Sequence, residues 1–284
     1  MWRRRGYPTA MPELPEVEFC RRALGRWTSG RRVVDVDIPD ARVVRDRRSD
    51  RPSQGSTAAA QRFRTAVRSP PLGLERHGKR ILWRFEDGAV LLHLGMTGRW
   101  TRTPTAFGKV VLTLDDGVRL TFRDPRLLGG LVPFTDPVAA EQALVEGLGP
   151  DALRDPLPAL RGERAVKLVL MDQAVVAGLG NVQAMEALWR AGIDPRTPAS
   201  TLDAERHARL AKAVQDQLSA TFALLGDGDE ITYVEEPSAP NPFPLYQREG
   251  EPCPACGTGI VTFRQAGRGT WWCPGCQPAD TPRG

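Results

Sequence analysis

The chain has 284 residues, a formal net charge of +5 and a sequence pI near 9.2, with 41% hydrophobic and 26% charged residues. That length excludes a small stapled peptide and leaves room for one large domain or two to three modest ones. No apolar run reaches the roughly 18 to 20 residues of a membrane span, and the leader MWRRRGYPTA lacks the apolar core of a secretory signal, so a soluble, cytoplasmic protein is expected. The mild basic excess fits a polyanion partner without requiring one. Lysine occurs only at Lys79, Lys109, Lys167 and Lys212, so arginine carries most of the positive charge and can pair bidentately with phosphate.

From Leu14 the apolar positions Leu14, Val17, Cys20, Leu24 and Trp27 recur three and four apart, which predicts a helix with one apolar face, closed by Gly30. The alternation in VVDVDI (33–38) predicts a strand. RDRRSDRPSQGSTAAAQ (45–61) reads as a polar loop with room for a short helix. Two hairpins follow, RILWRF-EDG-AVLLHL and KVVLTL-DDG-VRLTFR, each an Asp-Gly turn between β-forming runs. The N-terminal half is therefore expected to be antiparallel sheet. After Pro133 the pattern turns helical: PVAAEQALVEGL, GERAVKLVLMD, NVQAMEALWRAG, and a long segment near 201–225 for which Ser200 and Asp203 form a capping box. Residues 226–244 show no period, as a functional loop would.

Chemistry concentrates in three places. Cys253 and Cys256 in CPAC and Cys273 and Cys276 in CPGC are separated by sixteen residues, supplying four thiolates for one structural zinc; two disulfides or redox pairs are the alternative. With all four positions filled by protein, such a zinc holds a hairpin instead of doing catalysis, and no organic cofactor is expected. Cys20 reads as a core residue. In AVVAGLGNVQ, Gly178 and Gly180 permit a tight turn and Asn181 can cap the next helix, an anion site in outline or an ordinary packing corner. Third, Pro12 follows Met11. A free α-amine has a pKa of about 7.7 to 8.0 against about 10.4 for lysine, so an N-terminal proline would be a ready nucleophile that forms an iminium with an aldehydic carbon. Glu13 beside it could move protons. The alternative is that Pro12 starts the first helical turn.

Together, PELPEVE, Lys79 in RHGKRILW, LHLGMTGR, DPRLLG, LMD…VVAGLGNV and REGEPCPACG…GRGTWWCPGCQ resemble, in order, the formamidopyrimidine-DNA glycosylase and endonuclease VIII family over Met11 to about Pro278, with PELPEVE and LGMTG closest to the first branch. The resemblance implies an α+β architecture: an antiparallel β-sandwich with an N-terminal helix, a helix-two-turn-helix domain and a zinc-finger hairpin. It implies boundaries at 11–136, 137–226 and 246–278, a lid-like loop at 227–245 and a tail at 279–284. The implied activity is that of a bifunctional DNA glycosylase and abasic-site lyase that removes oxidised bases from double-stranded DNA as a monomer. Pro12 would be the Schiff-base nucleophile, Glu13 the acid that assists sugar opening, and Glu16 a neighbour. Lys79 would serve β-elimination, and Arg268 δ-elimination and phosphate grip. Lys167 and Asn181 would bind phosphates, Glu186 matches a site carboxylate, and Met96, Arg126 and Leu128 would fill the gap left by an extruded base.

The departures from the family pattern are equally informative. Residues 1–10 are expected to be a misassigned leader, with translation starting at Met11, because anything ahead of Pro12 would acylate its nitrogen. DPRLLG replaces DPRRFG, so Leu128 stands where a phenylalanine wedge is usual; the alternative is that Leu128 packs in the core. Phe107-Gly-Lys109 stands where a DNA-contacting histidine is usual, Gln183 replaces a tyrosine, and 226–244 lacks the pattern that covers an oxidised purine. Rival readings are a non-catalytic damage reader with a blocked N-terminus, an endonuclease VIII-like specificity for oxidised pyrimidines and abasic sites, and a zinc-ribbon module of transcription or translation machinery.

Overall fold

A computed structural model describes residues 12–46, 55–231, 234 and 240–279. The leader, Met11 and residues 280–284 lie outside the described residues, as do the expectations placed on them. The chain divides into two compact units, Met1–Glu146 with Leu225–Ala239, and Gly147–Leu224 with Pro240–Gly284.

The first unit opens with α1 (Leu14–Thr28), β1 (Val33–Asp37) and α2 (Thr57–Arg68). Strands β2 (Pro71–His77), β3 (Arg80–Phe85), β4 (Gly88–His93), β5 (Arg99–Thr101), β6 (Gly108–Leu114), β7 (Arg119–Arg123) and β8 (Gly130–Phe134) follow, then α3 (Pro137–Val145). They form two four-stranded antiparallel sheets, β1-β6-β7-β5 and β2-β3-β4-β8. Both expected hairpins are present, but each lies in a different sheet, and the core forms between them. Trp83 of β3 meets Trp100 of β5 edge-on at 6.1 Å between ring centroids, and Trp100 meets Phe122 of β7 at 5.5 Å. The apolar face of α1 joins this core as its spacing predicts; Cys20 is buried there, and burial pushes its thiol up to about 12. A second cluster, Leu82, Ala89, Leu91 and Val132 under Ala140 and Leu144 of α3, covers the other face of the second sheet. Burial on both faces explains why β3 and β4 read as nearly continuous apolar runs.

Several elements differ from expectation for identifiable reasons. Strand β8 includes Pro133, which the sequence reads as the end of sheet; β8 is an edge strand, where proline's missing donor is tolerated. Helix α2 begins at Thr57, and Ser56 Oγ accepts from the Ala59 amide at 3.1 Å, so the second part of the expected loop is a regular amphipathic helix. The stretch after α6 (Ala204–Leu225) is anchored through Ile231, which is buried in the core of the first unit. Here Asp229 accepts from Trp27 Nε1 at 2.9 Å, and the Glu230 carboxylate accepts from the Thr103 hydroxyl at 3.0 Å.

The second unit holds α4 (Val166–Leu170), α5 (Asn181–Ala191), α6 to Leu224, and a hairpin of β9 (Val261–Gln265) and β10 (Arg268–Trp272). The helix expected over 162–172 contracts to the five residues of α4. The expected Ser200–Asp203 box is also different. Asp203 itself sits just before α6 and accepts from the Arg206 amide at 2.9 Å, while Ser200 Oγ donates to Glu163 at 2.7 Å. Gln183 is buried in a polar bridge between α5 and α6, accepting from Gln217 Nε2 at 3.2 Å and Thr221 Oγ1 at 3.1 Å.

Candidate active site and metal centre

Pro12 is buried one position before Glu13, which precedes α1. The Glu13 amide donates to Glu16 Oε2 at 2.9 Å, so the two glutamates cap the helix and Pro15 occupies its first turn. The role of opening proline therefore falls to Pro15, and Pro12 stands outside the helix, ahead of its first turn. Further along the helix, Glu18 is enclosed by three guanidinium groups. Arg21 Nη2 donates at 2.7 Å, Arg22 Nε at 3.0 Å and Arg76 Nε at 3.0 Å. Burial alone would raise this carboxyl, but the arginines outweigh it and hold Glu18 at about 2.

Arg76 belongs to β2 and is itself fully buried, and its Nη1 donates to the Gly78 carbonyl at 2.9 Å. Gly78 and Lys79 form the two-residue turn between β2 and β3, since His77 pairs with Arg80, and Gly78 has φ +54°. Lys79 is thus at a hairpin tip and not on the strand entering RILWRF; a strand, β2, precedes it that the Gly-containing run PLGLERH conceals. One buried ion pair connects the helix behind Pro12 to the peptide preceding Lys79. Sequence spacing offers no hint of the Glu18–Arg76 link, because the partners are 58 residues apart.

Met96 lies in the turn after β4, half-buried, and Arg126 and Leu128 lie in the loop after β7, both exposed. Leu128 is 38% exposed, whereas Leu127 packs against the core. The core alternative for Leu128 therefore belongs to its neighbour. Phe107 is 49% exposed, and the Arg123 guanidinium sits 5.3 Å from its ring centroid. Lys109 pairs with Asp40 at 3.1 Å.

In the second unit the glycine turn is built around Gln173, whose side chain accepts from the Gly178 amide at 2.9 Å and donates to the Leu179 carbonyl at 2.7 Å. Gly178 has φ +109°, which favours glycine. The residue before α5 is Gly180, so Asn181 is the first residue of the helix and does not cap it. Its side chain instead accepts from Lys167 Nζ at 2.8 Å and donates to the Gly269 carbonyl at 3.0 Å, while Lys167 Nζ also reaches Thr270 Oγ1 at 2.6 Å. Lys167 and Asn181 are thus joined to the residues directly after Arg268. Lys167 is enclosed and directs its ammonium onto neutral oxygens; Arg268, the other cation, is exposed at the first position of β10.

Glu186 on α5 is fully buried, and its Oε1 accepts from the amides of Leu245 and Tyr246, both at 2.9 Å. Its Oε2 has no hydrogen-bond partner among the described residues, and burial pushes its pKa up to about 7 in spite of those two donors. This contact fastens the chain entering the metal hairpin to α5.

The sulfurs of Cys253, Cys256, Cys273 and Cys276 lie within 4.8 Å of one another. Cys253 and Cys276 Sγ are 3.8 Å apart, and Cys256 and Cys273 Sγ are 3.4 Å apart. A tetrahedral zinc with Zn–S near 2.3 Å needs sulfur separations of about 3.8 Å, so this set fits a structural zinc with no open position. All five cysteines are free of disulfides. The hairpin is docked within its unit, Trp271 against Tyr246 at 5.0 Å between rings and Gln277 Nε2 onto the Ile193 carbonyl at 2.8 Å.

Residues 11–131 match the model of the formamidopyrimidine-DNA glycosylase N-terminal domain, 140–232 that of the formamidopyrimidine-DNA glycosylase H2TH domain, and 250–279 that of the zinc finger found in FPG and IleRS. A formamidopyrimidine-DNA glycosylase of Geobacter sulfurreducens is 38% identical, over 94% of this chain and 100% of the relative. The crystal structure of the MutM (Fpg) protein of Thermus thermophilus is 33% identical with a TM-score of 0.76, covering 95% of this chain and 100% of that one. A MutM in complex with DNA containing carbocyclic 8-oxo-G is 25% identical with a TM-score of 0.78, over 94% of this chain and 100% of that one.

Proposed function

The chain belongs to the formamidopyrimidine-DNA glycosylase family, and from that premise we propose how its own residues carry out base excision on damaged duplex DNA. It is a DNA glycosylase of base excision repair with a structural zinc, and it acts as a cytoplasmic monomer. Pro12, with its nitrogen free, attacks the sugar carbon that carries the damaged base; the bond from that carbon to the base breaks, and the base leaves with the proton that the secondary amine gives up. Glu13 protonates the sugar oxygen as the ring opens, giving a cationic iminium that needs no second proton loss because the amine is secondary. Lys79 promotes β-elimination. Arg268 promotes δ-elimination and holds a phosphate, with Lys167 and Asn181 shaping the phosphate site behind it. Met96, Arg126 and Leu128 replace the contacts of the extruded base, because unstacking costs a few kcal/mol if nothing fills the gap.

The observation that carries this reading is the buried link from Glu18 through Arg76 to the Gly78 carbonyl, because it ties the helix behind the amine nucleophile to the turn that bears the second amine. The position of Pro12 outside the helix supports it too, since a proline needed only to open the helix would be redundant with Pro15. Borohydride reduction with abasic duplex DNA tests it. The species beginning at Pro12 should give a covalent adduct on the Pro12 peptide, and a protein verified by intact mass to retain MWRRRGYPTAM should give none. Efficient trapping by the extended protein would refute the proline mechanism, and Lys79 would then be substituted as the next candidate amine.

The exposure of Leu128 favours a particular lesion preference. Leucine lacks a π-face, and base–aromatic stacking is worth about 1 to 3 kcal/mol, so a leucine wedge compensates less for a well-stacked base. Abasic sites and ring-opened bases should be processed faster than 8-oxoguanine opposite cytosine, and Leu128→Phe should narrow the gap. Equal single-turnover rates on the two classes, unchanged in the variant, would remove this preference.

A further inference from the structure

Two segments carry the side chains assigned to the gap: 94–98 with Met96, and 124–129 with Arg126 and Leu128. Both converge on one carboxylate. Asp124 is 0% exposed, and it accepts from Thr97 Oγ1 at 2.7 Å, the Gly129 amide at 2.7 Å and the Arg126 amide at 3.3 Å. Its own amide donates to the Phe107 carbonyl at 3.3 Å, which brings a third loop to the same point. From the other side Arg45, also buried, donates to the carbonyls of Leu127 at 3.0 Å and Gly129 at 2.6 Å. Between these clamps Leu127 has φ +55°, a conformation that bulky residues rarely adopt without surrounding constraint. That twist lets Leu127 pack against the core while Leu128 faces outward. The remaining contact is steric: a Cβ at Gly95 would collide with the Leu128 carbonyl, so the two segments touch backbone to backbone.

A buried carboxylate is costly to keep unless its partners need it. The partners of Asp124 here are one side chain and two amides of the two loops. We propose that Asp124 is a positioning residue for base extrusion, fixing the Met96 and Leu128 loops as one preformed wedge so that ordering them is not a cost of entering the duplex. The inference rests on the role assigned to Leu128 above. It predicts selectivity, because a stacked base has to be displaced by the wedge whereas a preformed abasic site offers little to displace.

Three variants approach the same device by different routes: Asp124→Ala removes the hub, Thr97→Val removes one tie, and Gly95→Ala forces the loops apart. Each is measured for single-turnover release of a ring-opened purine, for borohydride trapping on preformed abasic DNA, and for the fluorescence rise of a 2-aminopurine placed beside the lesion. A misplacement near 1 Å can cost up to a hundredfold in rate. Asp124→Ala should therefore slow base release about tenfold or more. Trapping should stay within about twofold of the unsubstituted protein, as expected when the chemistry itself is untouched. Thr97→Val and Gly95→Ala should show the same selectivity with smaller losses, and all three should blunt the 2-aminopurine rise. Equal losses in both reactions, or a 2-aminopurine rise that is unchanged, would overturn the proposal. Should Asp124→Ala fail to fold, the other two variants decide it. If the unsubstituted protein trapped no abasic DNA, the proposed function would fail, while the 2-aminopurine signal would still report on Asp124.

Discussion

The two units each bury a glutamate on a helix, and they do so in opposite ways. In the first, Glu18 is surrounded by Arg21, Arg22 and Arg76, stays ionised and is held at about 2. In the second, Glu186 meets two backbone amides, has no hydrogen-bond partner on Oε2 among the described residues and is pushed up to about 7. Burial raises both carboxyls, and more so Glu186, but the shifts end opposite because guanidinium groups add full charge beside Glu18 while the amides at Glu186 add only dipoles. The first arrangement fixes the turn that bears Lys79. The second fixes the segment that leads into the metal hairpin.

Removing the zinc should separate the units most strongly. Structural zinc sites contribute on the order of 10 kcal/mol of apparent binding energy, so chelation or Cys273→Ser should unfold the β9–β10 hairpin, displace Arg268 and abolish DNA binding. Hydrogen exchange should show protection lost in peptides of the second unit and retained in the two sheets of the first; loss in both units would contradict two separately stabilised cores. Next in size is Arg76→Ala. Stripping one partner from a buried pair costs about 3 to 5 kcal/mol, and the loss should appear in denaturant unfolding together with slowed β-elimination. An unfolding change below about 1 kcal/mol would mean that Arg21 and Arg22 suffice for Glu18.

The pH profiles should run in opposite directions. For Glu18 the folded pKa is depressed, so its contribution of about 3 kcal/mol is present above the ordinary carboxylate range and lost as pH falls toward 2. Glu186 has a raised folded pKa. Its neutral form is favoured on folding, so stability is fullest below the ordinary carboxylate range and declines as pH rises to about 7. Glu186→Gln should flatten that decline, and a profile unchanged by the substitution would assign it elsewhere. The smallest effect belongs to Ala266, which has φ +46° in the β9–β10 turn beside Gly267 at +77°. Ala266→Gly should stabilise the hairpin by up to about 1 kcal/mol, read as a higher melting temperature at fixed zinc.

Much of this is legible in the sequence because it is local. The α1 face, both Asp-Gly hairpins and the two Cys-x-x-Cys knuckles depend on residues a few positions apart, and they stand where the pattern puts them. What escapes is non-local. Strand β2 is hidden because Gly73 and Pro71 weaken a pattern that pairing with β3 supplies. Strand β8 is hidden because only its edge position makes Pro133 acceptable. The pattern over 162–172 overstates its helix because apolar residues there serve loop packing as well. In the site, the family resemblance points to Lys167 and Asn181, but only the fold reveals that they are joined to each other and to Gly269 and Thr270. Glu18, Arg76, Arg45 and Asp124 give no sequence signal of their roles, since each acts on a backbone group or a partner far along the chain.

Cys20 supplies a practical consequence. Alkylating reagents consume thiolate, and a thiol held at about 12 presents that form at on the order of one part in ten thousand at pH 8. The other four cysteines all belong to the metal cluster. The rate at which iodoacetamide labels the native protein is therefore a clock for zinc release alone, with no background from the fifth sulfur until the first unit itself unfolds.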